Sequence, residues 1–205
     1  MDYIIQEETE ILYEINKSKF YAILTPIDDI KEIDTILNNI KKRYPKATHY
    51  CYGLALKKDI LINKSNDDGE PSGTAGVVIL KAINAKKVTN ALLTVVRYFG
   101  GIKLGAGGLI RAYNTASCLV LDKANLFIEK VYQTYRLDLD YNLDNKFEQL
   151  IRSLNGFIIN KDYQENIKCT FALEKDELEI INEFFLGKVQ ITKLENIKKI
   201  VKVNP

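Results

Sequence analysis

Apolar and polar residues alternate most clearly in the second half of the chain. Tyr135, Leu137, Leu139 and Tyr141 interleave with Arg136, Asp138 and Asp140, the period of two that marks a half-buried strand. Phe147, Leu150, Ile151 and Leu154 then keep helical spacing, and Gly156 falls just past the predicted helix end. Residues 156–163 and 167–173 predict two strands around a polar turn, with Ile167, Cys169, Phe171 and Leu173 on one face. Asp176 and Glu177 suit the positive end of a helix that stops at Gly187; a last strand fits 189–194, and a charged tail follows. The order βαββαβ predicts a ferredoxin-like unit, an architecture that hosts many functions and specifies none.

The first half predicts strands over 9–15 and 20–27, then a helix opened by Asp28 or Asp29 and lined by Ile30, Ile33, Ile36, Leu37 and Ile40. Residues 48–56 alternate as a strand with which 60–63 can pair. A polar, glycine-bearing loop over 66–73 leads into a helix over 74–85, capped by Ser72 or Thr74. The mostly apolar stretch 91–99 predicts a central strand, and a second glycine-rich loop over 100–108 opens a long helix through Asn125. An α+β sandwich follows, with helices on one face of a mixed sheet.

Composition adds a boundary. At 205 residues, 46% apolar and 27% charged, the chain suits one large or two small domains. Eight of the eleven glycines lie between Gly69 and Gly108, and only Gly156 and Gly187 follow Val131. The shift places the division near 130–134, giving domains over 1–131 and 132–205. With 29 basic and 27 acidic side chains the whole-chain charge announces no nucleic-acid binder, although a local basic patch is compatible with it. The acidic start, the lack of any run of about 18 apolar residues and three widely spaced cysteines (Cys51, Cys118, Cys169) suit a cytoplasmic protein with no membrane partner. The single histidine, His49, leaves no His-rich metal site, and no cofactor is called for.

Two segments carry the candidate chemistry. One runs Asp67-Asp68-Gly69-Glu70-Pro71-Ser72-Gly73-Thr74, the other Arg97-Tyr98-Phe99-Gly100-Gly101-Ile102-Lys103-Leu104-Gly105-Ala106-Gly107-Gly108, continuing to Arg111. Glycines bring backbone N–H groups close to a ligand, and a helix start adds unpaired donors. Arg97, Lys103 and Arg111 are the only charges between 97 and 111. Arg111 is predicted in the first turn of its helix, where the dipole disfavours a cation. Two readings follow. Either an external phosphate lies between these cations and the N–H groups of Gly100, Gly101, Gly105, Gly107 and Gly108, or Arg111 points back to Asp67, Asp68 or Glu70. Tyr98 and Tyr113 could stack on bases or pack in the core. Neither loop matches a Walker or dinucleotide fingerprint. Asp67, Asp68 and Glu70 lack the spacing of a calcium loop, so no metal is expected. His49 and Cys51 share a strand face, with a structural role for His49 favoured over a nucleophile pair. No residue is assigned to catalysis.

Both segments, with Ser18-Lys19-Phe20 and His49-x-Cys51 before them, closely resemble the signature of the IMPACT/YigZ family. The resemblance covers roughly residues 1–128, and the remainder resembles the small C-terminal domain of bacterial members. It implies a ribosomal-protein-S5-domain-2-like sandwich, similar to domain IV of the translocating elongation factor, followed by a ferredoxin-like domain similar to its domain V. It also implies a role in translational control, with RNA, the ribosome or a regulatory protein as partner. The expectation is a non-enzymatic, translation-associated regulator that binds RNA or the ribosome through the basic glycine-rich loop. A protein-interaction module and a phosphate-handling enzyme are the alternatives.

Overall fold

Residues 2–203 are described by a computed structural model. The chain forms two compact units, one running to Ile128 and taking back the chain from Lys202, the other spanning Glu129–Val201. The division falls inside a long strand, a few residues before the expected boundary.

In the first unit the elements are β1 (Thr9–Ile15), β2 (Ser18–Pro26), α1 (Ile33–Arg43), β3 (His49–Lys57), β4 (Leu61–Asn66), α2 (Gly76–Ala85), β5 (Ala91–Tyr98) and α3 (Gly105–Lys123). The sheet order is β1-β2-β5-β3-β4, so the most apolar strand is central, as its composition requires. All four pairings are antiparallel, rather than the mixed sheet expected. Nor do the helices keep to one face. Ala91, Leu93 and Val95 pack with Ile79 and Ile83 of α2 and with Ala112, Ala116 and Val120 of α3. Leu92 and Val96, in the opposite phase, pack on the other side with Ile33 and Ile40 of α1. A strand buried at every position from Ala91 to Arg97 needs cover on both sides, and α1 supplies the second.

Local chemistry sets the ends of these elements. Asp29 starts a short 3-10 turn into α1: its carboxylate accepts from Lys31 N at 2.9 Å, and Glu32 accepts from Asp29 N at 2.7 Å. Lys41, Lys42 and Arg43 occupy the last turn of α1, where the dipole favours cations. The β1–β2 turn is Asn16-Lys17, both with positive φ, the backbone that a two-residue hairpin of this twist demands.

The second unit holds most of β6 (Phe127–Leu139), then α4 (Asp144–Ser153), β7 (Phe157–Tyr163), β8 (Ile167–Leu173), α5 (Leu178–Phe184), β9 (Thr192–Lys193) and β10 (Ile197–Lys202). The order β10-β6-β8-β7, with β9 also on β6, is that of a ferredoxin-like sheet. Tyr135, Leu137, Leu139, Ile167, Cys169, Phe171 and Leu173 form its core with Phe147, Ile151 and Ile181 of the helices. Three details differ from expectation. β6 ends at Leu139, so Tyr141 starts a 3-10 turn and is exposed instead of continuing the strand. The charged tail is the strand β10, and the predicted last strand shrinks to the two residues of β9. Asn155, not Gly156, takes the left-handed conformation after α4; a Cβ on Gly156 would stand 2.5 Å from the Ala172 carbonyl oxygen. No helix among the described residues is long and apolar enough to cross a membrane.

Candidate nucleic-acid interface

The alternation of β5 decides where Arg97 goes. It is in phase with Leu93 and Val95, so its side chain enters the face covered by α2 and α3 and is only 5% exposed. A guanidinium there needs a partner. Its Nη1 donates to Glu70 Oε1 at 2.6 Å, and the Tyr113 hydroxyl donates to the same oxygen at 2.8 Å. His49 Nε2 stands 3.9 Å from it at the edge of the cluster. The guanidinium carbon lies 5.5 Å from the ring centroids of both Phe20 and Phe99. Arg97 is therefore an internal ion-pair partner rather than a cation presented to a phosphate. The second reading, in which Arg111 points back to Asp67, Asp68 or Glu70, is not what the structure shows: the pairing with Glu70 is made by Arg97.

Cys51 and Tyr113 lie in the same pocket. The Cys51 sulfur is 3.0 Å from the Asp67 carbonyl oxygen and 3.3 Å from the Tyr113 hydroxyl. Burial pushes the Cys51 thiol up to about 12 and, reinforced by Cys51 and Glu70, drives the Tyr113 phenol far above its ordinary value. His49 and Cys51 have different partners, the His49 Nδ1 being 2.7 Å from the Asp68 carbonyl oxygen.

The acidic loop is spent on the fold. Asp67 Oδ1 accepts from the backbone of Ala75 and Gly76 at 3.0 and 2.8 Å, and its Oδ2 accepts from Gly73 N at 2.9 Å. Burial alone would raise this carboxyl, but the three N–H donors outweigh it and hold Asp67 below the usual carboxylate range. Asp67 thus caps α2 from nine residues upstream, displacing Ser72 and Thr74 from the role expected of them. The Thr74 hydroxyl donates to the Pro71 carbonyl at 2.6 Å, and Ser72 is exposed. Asp68 Oδ2 accepts from Tyr50 N at 2.7 Å. The three acidic side chains do not converge; each serves a separate protein partner.

The second loop is built differently. Gly100 N donates to Ser18 Oγ at 3.1 Å, and a Cβ on Gly100 would stand 2.0 Å from the Lys17 carbonyl carbon, so the loop lies directly against the β1–β2 turn. Gly101 and Gly105 have φ of +84° and +70°, with nothing within 4 Å of the position a Cβ would take. The helix α3 begins at Gly105, making Gly105, Gly107 and Gly108 its first turn rather than loop residues. That turn holds no acidic residue, and Leu104 before it offers no side-chain cap. Arg111 is the seventh helical residue, in the second turn, so the unfavourable first-turn position expected for it does not arise. Lys103 and Arg111 are exposed, and neither pairs with a carboxylate among the described residues. Lys17 is exposed as well. It joins this surface only through the fold, although Asn16-Lys17 between two strand-like segments is itself a turn signal.

Neither tyrosine offers a stacking face at this loop. Tyr98 is out of phase with Arg97 and packs on the α1 face beside Tyr21, its hydroxyl donating to the Pro45 carbonyl at 3.0 Å. Tyr113 is fully buried. The exposed aromatic ring beside the loop belongs to Phe99, 45% exposed, with Ile102 at 45% and Ile110 at 42% near it in the chain.

Comparison with known proteins places both loops inside one domain type. The profile described as Impact N-terminal domain matches residues 16–121, and a domain of unknown function, DUF1949, matches residues 137–187. The chain belongs to the IMPACT family. Among relatives of this IMPACT chain is the IMPACT family member YvyE of Bacillus subtilis strain 168, 33% identical over 200 residues, or 98% of this chain and 89% of YvyE. YigZ of Escherichia coli K12 is 29% identical over 191 residues, covering 90% of this chain and 94% of its own. A crystal structure described only as that of a hypothetical protein superposes with a TM-score of 0.59 at 29% identity, covering 94% and 97% of the two chains. The matched IMPACT domain takes in the buried Glu70–Arg97–Tyr113 cluster and the open start of α3 together.

Proposed function

We propose that this IMPACT-family protein is a translation-associated regulator without catalysis of its own, binding RNA or the RNA of a ribosomal particle through the loop that opens α3. The observation that carries this reading is the contrast between the two glycine-rich loops. The N-terminus of α2 is capped internally by Asp67, while that of α3 is uncapped, open around Gly101 and Gly105, and flanked by the exposed cations Lys103, Arg111 and Lys17. Uncapped N–H groups and unpaired cations are what a phosphate backbone requires, and they confer no base preference of their own. The side chains that could serve chemistry face inward, with Glu70 tied to Arg97 and Tyr113, and with Cys51 held far from thiolate form.

The test is RNA binding over a salt series. Removing one phosphate contact should lower the log–log salt slope by about 0.7–0.9, so Lys103→Ala with Arg111→Ala should lower it by about 1.4–1.8 and weaken binding to all sequences alike. An unchanged slope in a double variant that melts like the parent would refute the phosphate-binding loop.

A further inference from the structure

This inference rests on that reading and names the form of the nucleic acid. The geometry points to Phe99 as a stacking platform for an unpaired base, which makes single-stranded RNA, rather than a duplex, the ligand of this surface.

The platform is held from beneath. Arg97 is buried, fixed by Glu70, and its guanidinium lies 5.5 Å from the Phe99 ring centroid, the range of a cation–π contact. The Phe99 backbone is pinned independently, its N–H donating to Thr48 Oγ1 at 3.1 Å. A ring so supported and still 45% exposed offers apolar surface to solvent at the end of the central strand. An aromatic ring in this setting loses little freedom when a base covers it. The charges beside it select the occupant. From Phe99 to Arg111 the chain carries Lys103 and Arg111 and no carboxylate, and the exposed Lys17 adjoins Gly100. Cations for the backbone and an aromatic face for the bases form the standard pairing for a single strand. A duplex keeps its bases stacked within the helix and leaves such a ring without a partner. Arg97 and Glu70 thereby become positioning residues: they touch no RNA and set the ring that does.

The experiment uses the full chain and fluorescein-labelled mixed-sequence RNA of about 12 nucleotides, single-stranded and annealed, a length within the usual single-strand site range. Because the chain has no tryptophan, Phe99→Trp introduces a unique reporter at the platform. Tighter binding of the single strand than of the duplex is expected, with quenching of the Phe99→Trp emission on adding the unlabelled single strand. Phe99→Leu should weaken single-strand binding by about 5-fold to 150-fold, the range for removal of one aromatic–base stack, and leave the salt slope and melting temperature unchanged. If Phe99→Leu binds the single strand within about 2-fold of the parent, or the Phe99→Trp emission is not quenched, while Lys103→Ala with Arg111→Ala still lowers the salt slope, the platform is refuted and the phosphate-binding loop stands. If neither RNA binds the parent, both fall, and a protein becomes the occupant to seek.

Discussion

Replacing Glu70 with glutamine would leave Arg97 buried opposite a neutral amide. Glu70 is 7% exposed and Arg97 5%, and one carboxylate oxygen takes both the guanidinium and the Tyr113 hydroxyl. Removing one partner of a buried pair costs about 3–5 kcal/mol, because the remaining charge is uncompensated. Glutamine keeps an acceptor for Tyr113, so the lower end, about 3 kcal/mol, is expected for Glu70→Gln. For a unit of this size 1 kcal/mol corresponds to roughly 3–5 °C, giving a fall in melting temperature of about 10 °C. Replacing both charges, Glu70→Leu with Arg97→Met, removes the stranded charge and should recover most of that loss. The assay is urea and thermal unfolding of the parent, Glu70→Leu, Arg97→Met and their double variant as a double-mutant cycle, with Glu70→Gln measured beside them and a coupling of at least about 2 kcal/mol expected. A Glu70→Gln variant melting within about 2 °C of the parent, or two strictly additive single changes, would show that the pair does not hold the loops together.

The other expectations follow from single contacts. Asp67→Ala removes the cap of α2 and should destabilise the first unit by about 1–2 kcal/mol, read by urea unfolding, whereas Ser72→Ala should be neutral because Ser72 caps nothing. Asp67 has a depressed folded pKa, so its contribution is complete above the unfolded value of about 3.9 and is lost as pH falls through the lower folded value. An acid titration of stability should therefore be shallower below about pH 4 in Asp67→Ala than in the parent; equal slopes would rule the cap out. Burial places Cys51 at about 12 and Cys169 at about 11, while Cys118 is exposed. At about pH 8 a thiol reagent should titrate one cysteine rapidly in the native protein and all of Cys51, Cys118 and Cys169 in denaturant, and fast labelling of Cys51 would contradict the packing around Tyr113.

Much of this fold is written as periodicity. The alternation through 135–139 and 167–173 predicts the faces that the second core uses, and the mostly apolar run of β5 predicts a central position; Tyr141, expected to continue the alternation, starts a 3-10 turn instead and is exposed. The same rule, carried one step further, holds the answer for Arg97. It follows Leu93 and Val95 by parity and so belongs inside, whereas its neighbours in the glycine-rich segment suggest a surface cation. Tyr98 obeys the opposite parity and leaves for the α1 face. Other features have no local signal. A cap is ordinarily the residue before the helix, so a carboxylate nine positions upstream can serve only once the loop has folded back. Lysines at 198, 199 and 202 mask the strand period of β10, which becomes a strand by pairing with β6.

The two glycine-rich loops share their glycines but carry opposite charge, and what separates them further is where that charge is spent. Around α2, Asp67 accepts from the N–H groups of Ala75 and Gly76 at the helix start, and Glu70 neutralises the one arginine its sister loop sends inward. That exchange removes the Glu70 carboxylate from the surface and removes Arg97 from it as well, while Asp67 is half-buried on its N–H donors and Asp68 stays exposed. The loop before α3 is left with cations and no carboxylate. An internal pair therefore shapes the external field: had Glu70 been exposed, it would offset Lys103 or Arg111 and weaken attraction to any polyanion. In the proposed binding surface, stability and recognition are coupled through Phe99, which rests on the same buried guanidinium. Glu70→Gln should then lower RNA affinity even at temperatures where the protein remains folded, because the ring loses its fixed support, yet leave the salt slope intact because every phosphate contact is kept. A variant that melts early but binds with parental affinity at low temperature would separate the two roles and confine Glu70 to the fold.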